Sequence, residues 1–264
     1  MKALFDTHAH LDQVPELERV LDTAREAGVA GIIAVGVDEP SNGAVLRIAQ
    51  DWPGFVYPAL GVHPCELVEH GDARIARELD FIRGNLSTAC ALGEIGLDYH
   101  KRTVADVPKE LQQEVLRVLL AAAASHGLPV LVHSRYAWTD ALRLVAESRV
   151  ERAVFHWFTG FASVLKGIMD AGYYVSATPA AGYHEEHRRA VRAAPRGRLL
   201  LETDTPVWYG RTERFQAAPA DVVRSLKAAA ELRAEAEDDV AAHTTDAARE
   251  LIGIPAPPES KEDL

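Results

Sequence analysis

The chain has 264 residues, 48% hydrophobic and 25% charged, an ordinary balance for a soluble globular protein and long enough to bury one large α/β core. Its 39 acidic against 28 basic residues give a net charge of −11. That excludes wrapping duplex nucleic acid through a broad basic face, because phosphate neutralisation provides most of such affinity; phosphate must be handled locally, where bound cations supply positive charge.

Only three apolar residues separate Met1-Lys2 from Asp6, too few for a signal-peptide core, and no run approaches the ~18 apolar residues of a membrane span. Cys65 and Cys90 have neither zinc-knuckle nor Cys-x-x-Cys spacing and read as free thiols in a reducing compartment. The expectation is a cytoplasmic protein with no membrane partner and no obligate protein partner.

In chain order, strand-like and helix-like segments alternate. Ala3 to His8 reads as a strand, and Val14 to Ala27 has helical spacing that stops at Gly28. Val29 to Val37 is almost continuously apolar, as in a strand buried on both faces. A helix follows from Ser41, taken as its N-cap, to Gln50. Phe55 to Val62 is a third strand, Ala73 to Gly84 a helix, and Thr88 to Leu97 a fourth strand. Lys109 to His126 is a long amphipathic helix closed by Gly127. Then come a strand at Leu128 to His133, a helix at Trp138 to Glu147, a strand at Ala153 to Phe158 and a helix at Ala162 to Ala171. Tyr173 to Ala177 is a seventh strand, a helix lies around His184 to Arg192, and Leu199 to Asp204 is the eighth strand. Asp221 to Ile252 holds two terminal helices.

Strict alternation implies parallel pairing through right-handed crossovers. Eight such units in a chain of this length predict a single-domain (β/α)8 TIM barrel over residues 1–254, with 255–264 a disordered tail. A doubly wound open sheet competes, but no Gly-x-Gly-x-x-Gly turn follows the first strand.

Polar residues fall where such a barrel carries its chemistry, at the C-terminal strand ends. His8 and His10 close the first strand, and strand alternation points them the same way. His63 closes the third, Glu94 the fourth, His133 the fifth, His156 the sixth and Asp204 the eighth. One strand-end histidine is usually a hydrogen-bonded core residue. This many ligand-type side chains on one rim would be costly to desolvate without cations, so a metal site is expected. Imidazoles and carboxylates without thiolate suit Zn²⁺, Mn²⁺ or a related ion.

The chain resembles the TatD family of metal-dependent deoxyribonucleases, within the amidohydrolase-like barrels. The resemblance rests on Phe5-Asp6-Thr7-His8-Ala9-His10-Leu11-Asp12, Gly61-Val62-His63-Pro64, Gly93-Glu94-Ile95-Gly96-Leu97-Asp98-Tyr99, Pro129-Val130-Leu131-Val132-His133-Ser134-Arg135, Phe155-His156-Trp157-Phe158-Thr159-Gly160 and Glu202-Thr203-Asp204-Thr205-Pro206. Thr244-Thr245-Asp246-Ala247-Ala248-Arg249-Glu250-Leu251 is similar to the family's closing motif. It implies two divalent cations (Zn, Mn or Mg). His8, His10 and Asp204 would hold the first, His133 and His156 the second, with Glu94 bridging. In two-metal sites the cations acidify the attacking water and stabilise charge on phosphoryl oxygens. Asp204 would also accept that water's proton. His63 would donate to the scissile phosphate, or else be a packed strand-end histidine. Arg135 would clamp a phosphate, or pair with Asp98 or Glu94.

One segment departs from the family. After Asp204-Thr205-Pro206 many members carry a basic Arg-Gly-Lys-Arg-Asn-x-Pro run, whereas here the chain reads Val207-Trp208-Tyr209-Gly210-Arg211-Thr212-Glu213-Arg214-Phe215. Trp208 and Tyr209 either stack on a base of a single strand or cover the barrel mouth. The expected function is a hydrolase trimming single-stranded DNA ends. The alternatives are the same metal site acting on a small ester, amide or phosphate, and a non-catalytic metal-stabilised binding module. A channel along the rim would favour the nuclease, and a closed pocket the small substrate.

Overall fold

The computed structural model describes residues 3–67 and 71–255. The tail expected from Pro255 onward lies outside the described residues, apart from Pro255 itself. Eight strands form one sheet in chain order, each paired in parallel with the next. They are β1 (Leu4–Ala9), β2 (Val29–Val35), β3 (Val56–Leu60), β4 (Ala91–Gly96), β5 (Val130–His133), β6 (Ala153–Phe155), β7 (Tyr174–Ala177) and β8 (Leu199–Leu201).

The first and last strands meet. The Asp204 N–H donates to the His8 carbonyl at 2.9 Å and the His10 N–H to the Thr205 carbonyl at 2.8 Å. Lower on the seam, the Thr7 hydroxyl donates to the Leu201 carbonyl (3.0 Å), and the Asp6 carboxylate accepts from the Thr203 N–H (2.9 Å) and hydroxyl (2.6 Å). The expected (β/α)8 barrel is therefore closed, in one domain.

The helices are α1 (Leu17–Glu26), α2 (Glu39–Asp51), α3 (Gly71–Asn85), α4 (Thr103–Asp106), α5 (Lys109–His126), α6 (Trp138–Glu147), α7 (Ala162–Asp170), α8 (Glu185–Ala193), α9 (Val222–Arg233) and α10 (Glu237–Ile252). Among the described residues no helix is long and apolar enough to cross a membrane. Two apolar layers result. One contains Phe5, Ile33, Ala59, Ala91, Leu131, Val154, Tyr174 and Leu200, one from each strand in mutual contact, and must be the barrel interior. Ala247, Ala248 and Leu251 of α10 join that cluster and plug its lower end. The other layer lies between strands and helices.

Three details differ from the sequence reading. Ser41 is not the N-cap of α2; Asp38 is, accepting from the Ser41 N–H at 2.9 Å, while the Ser41 hydroxyl accepts from the Asp38 N–H at 3.0 Å. Strands β6 and β8 stop at Phe155 and Leu201, short of Phe158 and Asp204, because the chain leaves the sheet there to enter the rim. A hairpin of β9 (Trp208–Tyr209) and β10 (Phe215–Gln216) follows β8; two-residue strands carry too little periodicity to be read.

His187 of α8 is fully buried, its Nδ1 donating to the Phe158 carbonyl (3.1 Å) and its Nε2 accepting from the Thr178 N–H (3.0 Å). Burial lowers its pKa to about 4. An unfolded histidine takes its proton near pH ~6.5, so the unfolded chain binds more protons between there and pH 4. Stability is thus expected to fall as pH drops through that window, by roughly 3 kcal/mol in full. Denaturant unfolding of metal-stripped protein at pH 7 and pH 4.5 should show that slope, and His187→Gln should flatten it. An equal slope in the variant would contradict the assignment.

Candidate metal and active site

Strand phase decides which side chains reach the mouth. On β3, β5, β6 and β8 the inward apolar residues are Ala59, Leu131, Val154 and Leu200. Counting on by two or four along each gives His63, His133, His156 and Asp204; only His133 lies within its strand, and the other three stand just past the strand ends, Asp204 with φ 51°.

β1 and β4 break that rule. Phe5 and Ala91 face inward, so strict alternation would turn Thr7 and Gly93 inward and His8 and Glu94 outward. The pairing register shifts between Asp6 and Ala9 on β1 and between Leu92 and Ile95 on β4. Each irregularity inverts the phase, as an extra residue in a ladder does. Ala9 and Ile95 consequently pack outward against the helices, and His8, His10 and Glu94 enter the barrel mouth. Gly96 makes the β4–β5 approach possible: a Cβ there would lie 2.0 Å from the His133 carbonyl oxygen.

The five other expected ligands converge around Glu94. Its Oε1 lies 2.7 Å from His133 Nδ1 and 2.8 Å from His156 Nε2. Its Oε2 faces the other way, 3.5 Å from His8 Nε2 and 3.6 Å from His10 Nε2. Asp204 Oδ1 lies 3.7 Å and 3.4 Å from the same two nitrogens. One carboxylate thus spans two imidazole sets. Burial would push Glu94 up, but the imidazoles of His63, His133 and His156 hold its carboxyl well below the usual range. Burial works against charge on His10 as well, yet bonding to Asp204 carries the ring up to about 9.

These residues fit a cation. His8 is fully buried, and neither ring nitrogen has a hydrogen-bond partner. Leaving such groups unpaired costs roughly 1–3 kcal/mol each, and a Lewis acid at Nε2 would relieve part of that cost. The separations of 3.4–3.7 Å among His8, His10, Glu94 and Asp204 are long for hydrogen bonds. They approach the ~3.4 Å edge of a tetrahedron with ligand bonds of about 2.1 Å. The His10 Nδ1–H donates to the Val35 carbonyl at 3.1 Å, which turns Nε2 into the cluster, where a cation would take the place of its proton.

Around this centre stand residues that orient it. His63 Nδ1 accepts from the Cys65 N–H at 3.1 Å, placing the proton of the neutral ring on Nε2, 3.7 Å from Glu94 Oε1. Burial lowers its pKa to about 3, so it stays neutral. Asp98 Oδ2 lies 3.2 Å from His133 Nε2 and 2.9 Å from the Arg135 guanidinium. Of the two roles read for Arg135, the Asp98 pair is therefore formed, although the side chain is half exposed and lines the cleft. Glu202 is a residue the sequence reading missed. It is buried, accepts from the Trp157 N–H at 3.0 Å and faces His156 Nδ1 at 3.5 Å. It turns the other nitrogen of His156 toward Glu94. The signal was its place two residues before Asp204, on the same strand face.

The cleft has a volume of about 920 Å³. Its walls include His10, His63, Glu94, Asp204, Tyr136 and Trp157. Trp208 is exposed on the hairpin and is not among the lining residues, with Arg214 5.6 Å from its ring. Tyr209 is buried; its hydroxyl donates to the Thr203 carbonyl at 2.9 Å and its ring packs 5.3 Å from Trp157. That ring supports the rim from beneath. Three residues at the mouth hold left-handed backbone without being glycine: Tyr136 (φ 57°), Trp157 (φ 41°) and Asp204 (φ 51°). Such conformations cost on the order of 1–3 kcal/mol each and concentrate at functional sites.

Known proteins resemble this chain along most of its length. A family model described as TatD related DNase matches residues 5–253. The uncharacterized metal-dependent hydrolase YabD of Bacillus subtilis (strain 168) is 31% identical over 261 residues, covering 95% of this chain and 99% of that protein. The 3'-5' ssDNA/RNA exonuclease TatD of Pectobacterium carotovorum is 30% identical over 209 residues, 76% of this chain and 77% of that one. The crystal structure of the TatD homologue YjjV from Escherichia coli K12 is similar with a TM-score of 0.85 and 28% identity, covering 96% of this chain and 98% of that chain.

Proposed function

The chain belongs to the TatD-related DNase family and is a metal-dependent hydrolase, and from that premise we propose that it is a cytoplasmic two-cation phosphodiesterase that trims ends of single-stranded DNA. The observation that carries this reading is Glu94, whose two oxygens each face a separate set of imidazoles. His8, His10 and Asp204 would hold one cation (Zn, Mn or Mg), His133 and His156 the other, with Glu94 shared. Bound there, the cations supply Lewis acidity toward water and phosphoryl oxygens.

The chain's own groups do the rest. The imidazoles keep Asp204 below the usual carboxylate range in spite of burial. Ionised, it accepts the proton of the attacking water. His63, neutral with its proton on Nε2, donates to a phosphate oxygen. Arg135 spends one N–H on Asp98 and has further donors for a second phosphate oxygen. A cleft with exposed and half-exposed residues on its wall suits a strand that continues past the rim better than a small molecule enclosed on all sides.

The test is metal analysis of purified protein, then turnover of a short single-stranded oligonucleotide beside a panel of carboxylic esters, amides and phosphate monoesters. Two equivalents of cation and oligonucleotide turnover lost on chelation are expected. Few phosphates meet side-chain charge on this acidic chain. The slope of log affinity on log salt should therefore be shallow, about −0.7 for each of one or two phosphates. Turnover of the ester panel alone would move the reading to a small-molecule hydrolase. A single tightly held equivalent would remove the bridging role.

A further inference from the structure

Four rings follow one another along the rim beside β5 and β6. His100, after β4, stacks on Tyr136 with centroids 5.9 Å apart and planes 28° apart. Tyr136 meets Trp138 at 5.7 Å, and Trp138 meets Phe161 at 5.3 Å. Tyr136 and Trp138, the two middle rings, line the cleft itself, and His100 and Phe161 continue the row beyond it on either side.

The row is exposed. Tyr136 is 59% and Phe161 62% accessible, two of the three large hydrophobics most open to solvent among the described residues. Single exposed apolar side chains need no explanation, but a contiguous row joined to a site does. Tyr136 also holds left-handed backbone, which a bulky side chain disfavours, and its exposure leaves little burial to offset that. Trp138 is seated firmly: a Cβ on Gly160 would come 2.6 Å from its ring and 2.5 Å from that of Phe158, so only glycine leaves room for the indole.

Charge follows the same side. Lys101 and Arg102 are exposed next to His100, and Arg135 precedes Tyr136, whereas His184 and Glu186 also line the cleft from the α8 side. Resting on the single-strand reading above, we propose that Tyr136, Trp138 and Phe161 form a base-stacking track for the nucleotides adjoining the scissile phosphate. Every base has a π-face, so the track is tolerant of sequence, and the neighbouring cations meet the phosphates between bases. A protein docked on these rings would cover the cleft that Tyr136 and Trp138 line.

The test compares wild type with the Tyr136→Ala/Phe161→Ala double variant, both exposed positions, after circular dichroism has shown the variant folded. Dissociation constants are measured for a hexathymidylate and for the same strand with abasic spacers beyond its terminal nucleotide. Wild-type affinity should fall about fivefold or more for each stacked base removed. The variant, which keeps Trp138, should lose affinity for the hexathymidylate by about two stacked bases, and base removal should cost it correspondingly less than it costs wild type. Its loss in kcat/KM on the hexathymidylate should exceed that on bis(4-nitrophenyl) phosphate at least tenfold, on the order of two stacked bases.

Equal losses on both substrates would mean a structural role and would overturn the track, as would a wild type indifferent to base removal. If wild type cleaves the hexathymidylate and the variant matches its affinity, the track alone falls. If wild type cleaves the small diester but binds no oligonucleotide, the single-strand reading falls and the track with it.

Discussion

Glu94→Gln is expected to lower hydrolysis on the order of 10³-fold or more, while far-UV circular dichroism stays that of wild type. The substitution keeps the volume of a side chain that is 4% exposed, so the packing of β4 survives. What changes is chemistry. An amide offers one weak acceptor and one N–H₂ donor where both oxygens now face imidazoles, at 2.7 and 2.8 Å on one side and 3.5 and 3.6 Å on the other. Whichever way the amide turns, one imidazole set meets a donor in place of a ligand. Metal analysis of the same sample should show a deficit, which separates loss of the shared ligand from damage elsewhere. Wild-type turnover in this variant would end the bridging assignment. Turnover lost together with the folded spectrum would leave Glu94 a structural role only.

The second large effect comes from a residue with no side chain. Gly96 pairs with His133 across β4 and β5, two positions from Glu94. Its φ is 152°, and a Cβ would lie 2.0 Å from the His133 carbonyl oxygen and 2.8 Å from its carbonyl carbon. Backbone atoms in the middle of a closed barrel cannot step aside as a side-chain tip can. Gly96→Ala must force the two strands apart, at about 3 kcal/mol or more of stability. Because those strands carry Glu94 and His133, activity should fall further than stability explains: the fraction that remains folded at 25 °C should also turn over poorly. Denaturant titration together with kcat per folded molecule checks both halves. A variant with wild-type midpoint and turnover would show that the strand spacing has slack.

Much of the architecture was legible because burial leaves a periodic trace. A run such as Val29 to Val35, apolar on both faces, is only stable between two layers, and helices such as Lys109–His126 and Trp138–Glu147 announce themselves by spacing and by the glycine or polar residue after them. Elements too short to show a period were not legible. The hairpin Trp208–Tyr209/Phe215–Gln216 is two residues a side, and its neighbours' contacts send Tyr209 inward and leave Trp208 outside the cleft wall. The aromatic row of His100, Tyr136, Trp138 and Phe161 is drawn from three different loop regions, so no local pattern reveals it.

By itself the sequence determined the eight-fold alternation, the strand ends on which histidines and acids fall, and the absence of a broad basic face. All three follow from local composition and from the two periods of helix and strand. Only the tertiary structure decided which way the side chains on β1 and β4 turn. A regular strand starting from Phe5 or Ala91 would have sent His8 and Glu94 toward the helices. The register shifts that invert them arise from pairing with neighbouring strands, and pairing between segments distant in the chain is a property that no single stretch of residues contains.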